Sequence, residues 1–591
     1  MDTASLLIAL LRASNVPARY AFGTVDIPAE KVMNWVGGVD VPEAAQQLLG
    51  QGGVPNTAII RAGKVDTIRI EHTWAEAWVD YHPGRAAKHN VGDSWIPLDA
   101  SFKQYAFTEG EDIASQVPFD AENLINDLTA SGTVNEADGF VQGLDQSLIE
   151  TTLTAYQQQV EDYINNQNPE MTLGELLGTQ KVIQQEFRQL AASLPYQLIA
   201  RTHNFSELPN IVRHKFRYTL GTEYYGREDR RLITVEKSLP EVAGKKLALA
   251  FKPATDEDAE LLASYLPEPD PETGEIDPSH IPQSLPGYMI GLTAEFLEEG
   301  ETLFEAPAGN MGSELIESMQ LYAPGFGWST PAINHPVAGE YRAVGLYLQG
   351  ANPEDAVKLR ARMEATQAKL ESEDDAQLAS LTKHELVGDM LYATIYSYFA
   401  LNDLQDQIQA KAADVVNYRL PSFGLFTTQL NPVYWFGVPR NVEFSGLGMD
   451  VDHMASQLSV KNNSKGERVA FKRSMGLRSS AMEHQVPEMM YSTDDAPAHG
   501  ISAVKALAIA GQQGQKIWTI DSSNISMALA DINLSDDIEN EIRNAVNAGN
   551  IAIAHQGYLD FYGTKAAGYL LLDPETGAGA YKIASGGMGE I

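Results

Sequence analysis

Residues 1–25 read MDTASLLIALLRASNVPARYAFGTV, and this stretch decides the fold. From Asp2 to Ser14 the spacing predicts a helix that is apolar on nearly every side. A helix without a polar face belongs in a core, not on a surface. Asn15-Val16-Pro17 stops it, and Ala18 to Phe22 reads as a strand. The chain is expected to open on its most buried helix, with a sheet directly behind it.

Composition bounds the rest. A chain of 591 residues, 44% of them hydrophobic, is too long for one core, and three to five domains are expected. The formal net charge is −37, with acidic residues spread along the chain. Nucleic acid and anionic membranes are poor partners for such a surface, because their phosphates are repelled. The charge reads as a solvated surface, of the kind that suits a secreted, surface-exposed or salt-tolerant protein. There is no cysteine, so disulfides, thiolate zinc sites and cysteine nucleophiles are absent from these residues. No run approaches the length needed to span a bilayer. Leu6 to Leu11 lacks the basic flank and cleavage site of a signal peptide, so any export signal is expected upstream of Met1.

The expected architecture is α+β and multidomain. Residues 1–110 alternate helix, strand and loop, and 111–140 read as an acidic linker. Residues 141–205 have helical spacing, 206–352 are β-rich, and 353–418 are helical again. Residues 419–591 read as an α/β module with a glycine-rich end, and no repeat of fixed period occurs.

Two further stretches bear on chemistry. In IEHTWAEAWVDY (70–81), period-two alternation puts His72, Trp74, Glu76 and Trp78 on one face of a strand. SWIPLDASFK (94–103) puts Asp99 at the end of a second strand. A carboxylate beside an imidazole holds one tautomer and stabilises the charged ring. Such a pair is either structural or catalytic, and the catalytic reading needs a nucleophile, best placed at a helix N-terminus. Trp74 and Trp78 are core residues or walls of a cleft. Thr3 reads as a helix cap, and neither it nor Ser5 is placed as a nucleophile.

Taken in order, DTASLLIALLRASNVPAR, EHTWAEAWVDY and WIPLDASF resemble the core of the transglutaminase-like family. The resemblance implies a papain-like fold and a Cys–His–Asp triad, with His72 and Asp99 in the last two roles. Asn15 stands where the family usually has glycine in its Gly-Ile-Pro-Ala-Arg turn. The family's cysteine lies two residues before the aspartate that opens the helix, which here is one residue before Met1. The start is therefore expected to cut into a domain. It is either a fragment, or a late start, or a domain that has lost its nucleophile.

Other candidates are weaker. His82 and His89 flank a loop without carboxylates, and His384 in TKHELVG lacks a second histidine at zincin spacing. Asp450 and Asp452 share a strand face beside His453, and Glu483 precedes His484; all read as structural. The DPETG segments at 270–274 and 573–577 read as tight turns. No metal or cofactor is expected. Residues 484–488, 500–510, 545–554 and 568–587 resemble the module that follows transglutaminase-like domains in very large bacterial exported proteins. That likeness implies RHS repeats or a toxin domain downstream. Two functions stay open: an acyl-transferase or peptidase acting on a protein or peptide, and a catalytically inactive scaffold that presents a downstream domain. A secreted or cell-surface location is expected, a cytoplasmic one stays open, and no insertion into a membrane is expected.

Overall fold

The computed structural model describes the chain except residues 1, 83–90, 168, 187–189, 225, 243, 266, 268–281, 325–326, 348–352, 373, 413–414, 420–421, 453–454, 460–463, 494–495 and 586–591. His89, His453, the first DPETG segment and the terminal glycine cluster lie outside the described residues.

Helix α1 (Asp2–Ala13) is followed by strand β1 (Ala18–Pro28). Asn15 makes the corner with φ +60°, a left-handed conformation that asparagine tolerates better than most side chains. Helix α1 does not sit wholly in a core. Ala4 and Ile8, one turn apart, are buried against Ala18, Tyr20 and Ala75, whereas Leu6 and Leu10 are exposed. A helix lying on a sheet covers one stripe, so apolar residues on its far side stay uncovered among the described residues.

Helices α2 (Ala29–Trp35) and α3 (Pro42–Gln51) follow, then strands β2 (Asn56–Arg61), β3 (Lys64–Val79) and β4 (Ser94–Leu98). The long β3 pairs antiparallel with β1 throughout, from Ala18↔Ala77 to Pro28↔Thr67, and puts His72 opposite Gly23. On its other edge it pairs first with β2, up to Ile70, and then with β4, from Ala75 onward. The strand Gln197–Phe205 closes the far side of β1. Alternation divides the sheet. One face carries Tyr20 and Ala75 under α1, and the other carries Ala21, Val25, Ile27, Ile68, Ile70 and Trp74 under α2 and α3.

Two further sheets enclose the largest core. A five-stranded sheet that includes Lys215–Tyr224 and Leu315–Ala323 faces a seven-stranded one that includes Leu247–Pro253, Gly291–Glu298 and Arg342–Tyr347. Phe216, Tyr218, Leu249, Phe296, Met319 and Leu425 fill the space between. On Leu247–Pro253 the alternate residues Ala248 and Ala250 face a helical layer instead, packed with Ile395, Phe399 and Met482. Small residues on that face let the helices Met390–Ala412 and Lys465–Tyr491 lie close.

The last sheet joins distant parts of the chain. Strand Ile517–Ile520 pairs with Ile551–His555 on one side and with Phe140–Gln142 on the other. Residues 111–140, which read as linker, hold two short helices and the hairpin that reaches this sheet. Residues 141–205, which read as helical, end in the strand that pairs with β1. Both pairings join segments far apart in sequence, where local spacing carries no signal.

Candidate active site

His72 sits in the middle of β3, where β2 has ended and β4 has not begun. Asp99 is the first residue after β4, so the chain turns away from β3 just where the carboxylate is needed. The two side chains meet, with His72 Nε2 at 2.9 Å from Asp99 Oδ2. The His72 side chain is 12% exposed and that of Asp99 is 1% exposed.

Five donors converge on this carboxylate, the longest being the Phe102 amide, 3.4 Å from Oδ1. Oδ2 accepts from His72 and, at 2.6 Å, from the Tyr196 hydroxyl. Oδ1 accepts from the Ser101 amide at 2.9 Å and the Ser101 hydroxyl at 2.6 Å. Burial alone would push the Asp99 carboxyl up. The hydrogen bond and charge of His72, with the bonds from Ser101 and Tyr196, outweigh it and hold the carboxyl at about 2. Burial and the neighbouring Asp99 push the Tyr196 hydroxyl up, so it stays a donor at any ordinary pH.

An ionised carboxylate only accepts, so His72 carries its proton on Nε2. Nδ1 of the neutral ring is then the basic nitrogen, and among the described residues it has no hydrogen bond. This is the tautomer a general base needs. The Ser101 hydroxyl lies 3.4 Å from Nε2, on the Asp99 side of the ring, and donates to Asp99. That commits it to orientation and leaves it unsuited as a nucleophile.

The ring is boxed by aromatics. Trp35 stands edge-on to His72 at 5.7 Å and donates its Nε1–H to the Ser101 carbonyl at 2.8 Å. Tyr196 lies 5.9 Å from His72, and Phe102 touches both Trp35 and Tyr196. Trp74 is fully buried in the core and Trp78 packs on Trp95, so neither is among these walls. Trp35, Phe102 and Tyr196 were not singled out in the sequence. Ser101 and Phe102 at least lie two and three residues after Asp99, while Tyr196 is 97 residues away and has no local signature.

Glu76, on the same face of β3, is buried between Arg19 and Arg201, with Arg19 also stacked over Trp95 at 4.0 Å. This clamp ties β1, β3 and the strand Gln197–Phe205 together, and the same connection carries Tyr196 to the site. Twelve helical residues run back about 18 Å, and five strand residues from Ala18 advance about as far, to Gly23 opposite His72. Helix α1 lies on the face of Ala75, and His72 on the opposite face. Between Ile70, where β2 ends, and Ala75, where β4 begins, the outer edge of β3 pairs with no strand among the described residues.

The remaining candidates are held in other ways. His384 Nδ1 meets the Tyr341 hydroxyl at 2.7 Å, in a π-helical turn His384–Asp389, and burial brings the ring down to about 4. His484 meets the Ser502 hydroxyl at 2.9 Å. Asp450, Asp452 and Glu483 line a cavity of about 550 Å³ with Lys472 and Tyr581. Burial raises all three carboxyls. No group of three metal-ligating side chains occurs among the described residues. The second DPETG segment closes a turn in which Asp573 accepts from Glu575 and Thr576.

No curated protein and no solved structure matches the chain. A family model does match, over residues 1–100, which hold α1, the β1–β3 pairing, His72 and Asp99: it is that of the transglutaminase-like superfamily.

Proposed function

We propose that the N-terminal unit is a transglutaminase-like acyl-transfer domain in which His72 is the general base and Asp99 its orienting partner. The observation that carries this reading is the pair itself: His72 Nε2 meets the ionised Asp99 at 2.9 Å, and Nδ1 has no hydrogen-bond partner among the described residues. A thiol at the start of α1 would give its proton to Nδ1 and attack a glutamine side-chain amide or a peptide carbonyl. The leaving amine would take the proton back, Asp99 would stabilise the imidazolium in between, and backbone N–H groups at the helix start would hold the oxyanion.

The 591 residues hold no cysteine, and that observation favours a second reading, a catalytically inactive scaffold. Such a scaffold would present a downstream domain of a bacterial secreted or surface polypeptide, and the net charge of −37 suits that setting. One experiment separates the two. A chain with cysteine placed immediately before Met1 is incubated with a glutamine peptide and a fluorescent primary amine. The acyl-transfer reading expects amine incorporation or amide hydrolysis, lost on His72→Ala. The scaffold reading expects neither, with or without the thiol.

A further inference from the structure

The hairpin formed by strands Ser422–Trp435 and Val438–Asp452 ends in a tip that nothing covers among the described residues. Trp435 pairs with Val438, and the two residues between them, Phe436 and Gly437, have φ +53° and +72°. A two-residue turn with positive φ at both positions favours Asn-Gly, whereas a bulky aromatic at the first position is strained. Here that residue is phenylalanine, and it is completely exposed, with Trp435 exposed by 63%. Strain and exposure together are what a structural turn avoids and a working one keeps.

The apolar residues do not alternate. Val433, Tyr434, Trp435, Phe436 and Val438 are all exposed, so both faces of the ribbon are apolar at its end. A partner protein covers one face of a strand, and the other face is then polar. A medium that surrounds the tip requires no alternation. Charge agrees: in a chain of net −37, the residues from Ser422 to Val442 hold a single charged side chain, Arg440. It lies four residues behind the apex, with its guanidinium 4.3 Å from the Tyr288 ring.

Other aromatics gather at this end. Tyr288 and Met289 are exposed beside Arg440. The Tyr434 hydroxyl donates to Glu314 at 2.7 Å, and Glu314 in turn holds the Glu223 amide, which brings the exposed Tyr224 of the neighbouring hairpin turn alongside. Tyrosine and tryptophan in a ring behind a phenylalanine apex, with an arginine at the rim, match the interface of a bilayer: apolar at depth, amphipathic at the headgroups, cationic at the phosphates.

We propose that the Val433–Val438 tip inserts into the interfacial layer of a zwitterionic, phosphatidylcholine-type membrane, with Arg440 at phosphate level. From Val438 to Arg440 the strand rises about 7 Å, and the turn adds a few ångström, which fits the 5–10 Å that interfacial elements bury. It neither spans the bilayer nor needs anionic lipid.

The lack of native cysteine makes the test clean. In the full chain, Phe436→Cys and, as a control, Gln157→Cys on the exposed helix Ser147–Gln167 are each labelled with an environment-sensitive fluorophore. Phosphatidylcholine vesicles should brighten the label at 436 several-fold and blue-shift it, and leave the label at 157 unchanged. In co-sedimentation with the same vesicles, Trp435→Ser combined with Phe436→Ser should weaken binding about tenfold. A label at 436 indifferent to vesicles overturns the proposal. So does brightening without vesicles that rises with protein concentration, which would assign the tip to a second copy of the chain.

Discussion

Asp99 decides the chemistry of the site, because five donors make it an anion inside a core. Its carboxyl is lower in the folded chain, about 2, than in the unfolded chain, near 3.8. A carboxylate lowered on folding contributes stability that is present above the unfolded value and lost as pH falls through the folded one. At 1.36 kcal/mol per unit this is about 2 kcal/mol, lost between about pH 4 and 2. Acid unfolding of Asp99→Asn should lack that component. Tyr196→Phe removes one donor from a buried charge and should cost about 2 kcal/mol at pH 7 in urea unfolding. His72 and Asp99 were legible as a pair, since each stands in a recognisable run. Tyr196, Trp35 and the Glu76 clamp were not, because they reach the site through pairings that no local pattern encodes.

At the scale of elements, strand spacing controls the site. Gly23 faces His72 across β1 and β3, and a Cβ there would lie 2.2 Å from the Ala200 carbonyl. Gly23→Ala should therefore push the strand Gln197–Phe205 away, cost about 2–3 kcal/mol, and shift the His72 ring resonances in NMR. Asn15→Gly should be nearly neutral, while Asn15→Val, with a branched side chain at positive φ, should cost about 1–2 kcal/mol in the same unfolding assay. Helix α1 shows where reading the sequence alone reached its limit. Ala4 and Ile8 are the residues that meet the sheet, yet a helix apolar all round gives no sign of which stripe will be covered.

At the scale of the molecule, the chain returns to its early strands late. The matched region ends at residue 100, but Tyr196 and the strand Gln197–Phe205 complete the sheet around it. A fragment of residues 1–110 should melt without cooperativity, and one of residues 1–208 should unfold in a single transition by circular dichroism. Acid should also act in two windows. Burial lowers the His384 ring from 6.5 to about 4, so neutrality there contributes stability above pH 6.5 that is lost as pH falls toward 4, before Asp99 begins to protonate. Removing the imidazole by His384→Leu should shrink the upper phase of acid unfolding, to which the buried His484 and His555 also contribute, and leave the lower one.

The central claim is that His72 is a base poised for a thiol at the start of α1. The direct measurement is the pH dependence of alkylation of a single cysteine placed immediately before Met1, in the otherwise cysteine-free chain. The account predicts a thiol that reacts as thiolate well below pH 8.5, the usual value, and returns to ordinary behaviour in His72→Ala. A profile that is ordinary from the outset and indifferent to His72→Ala would contradict it.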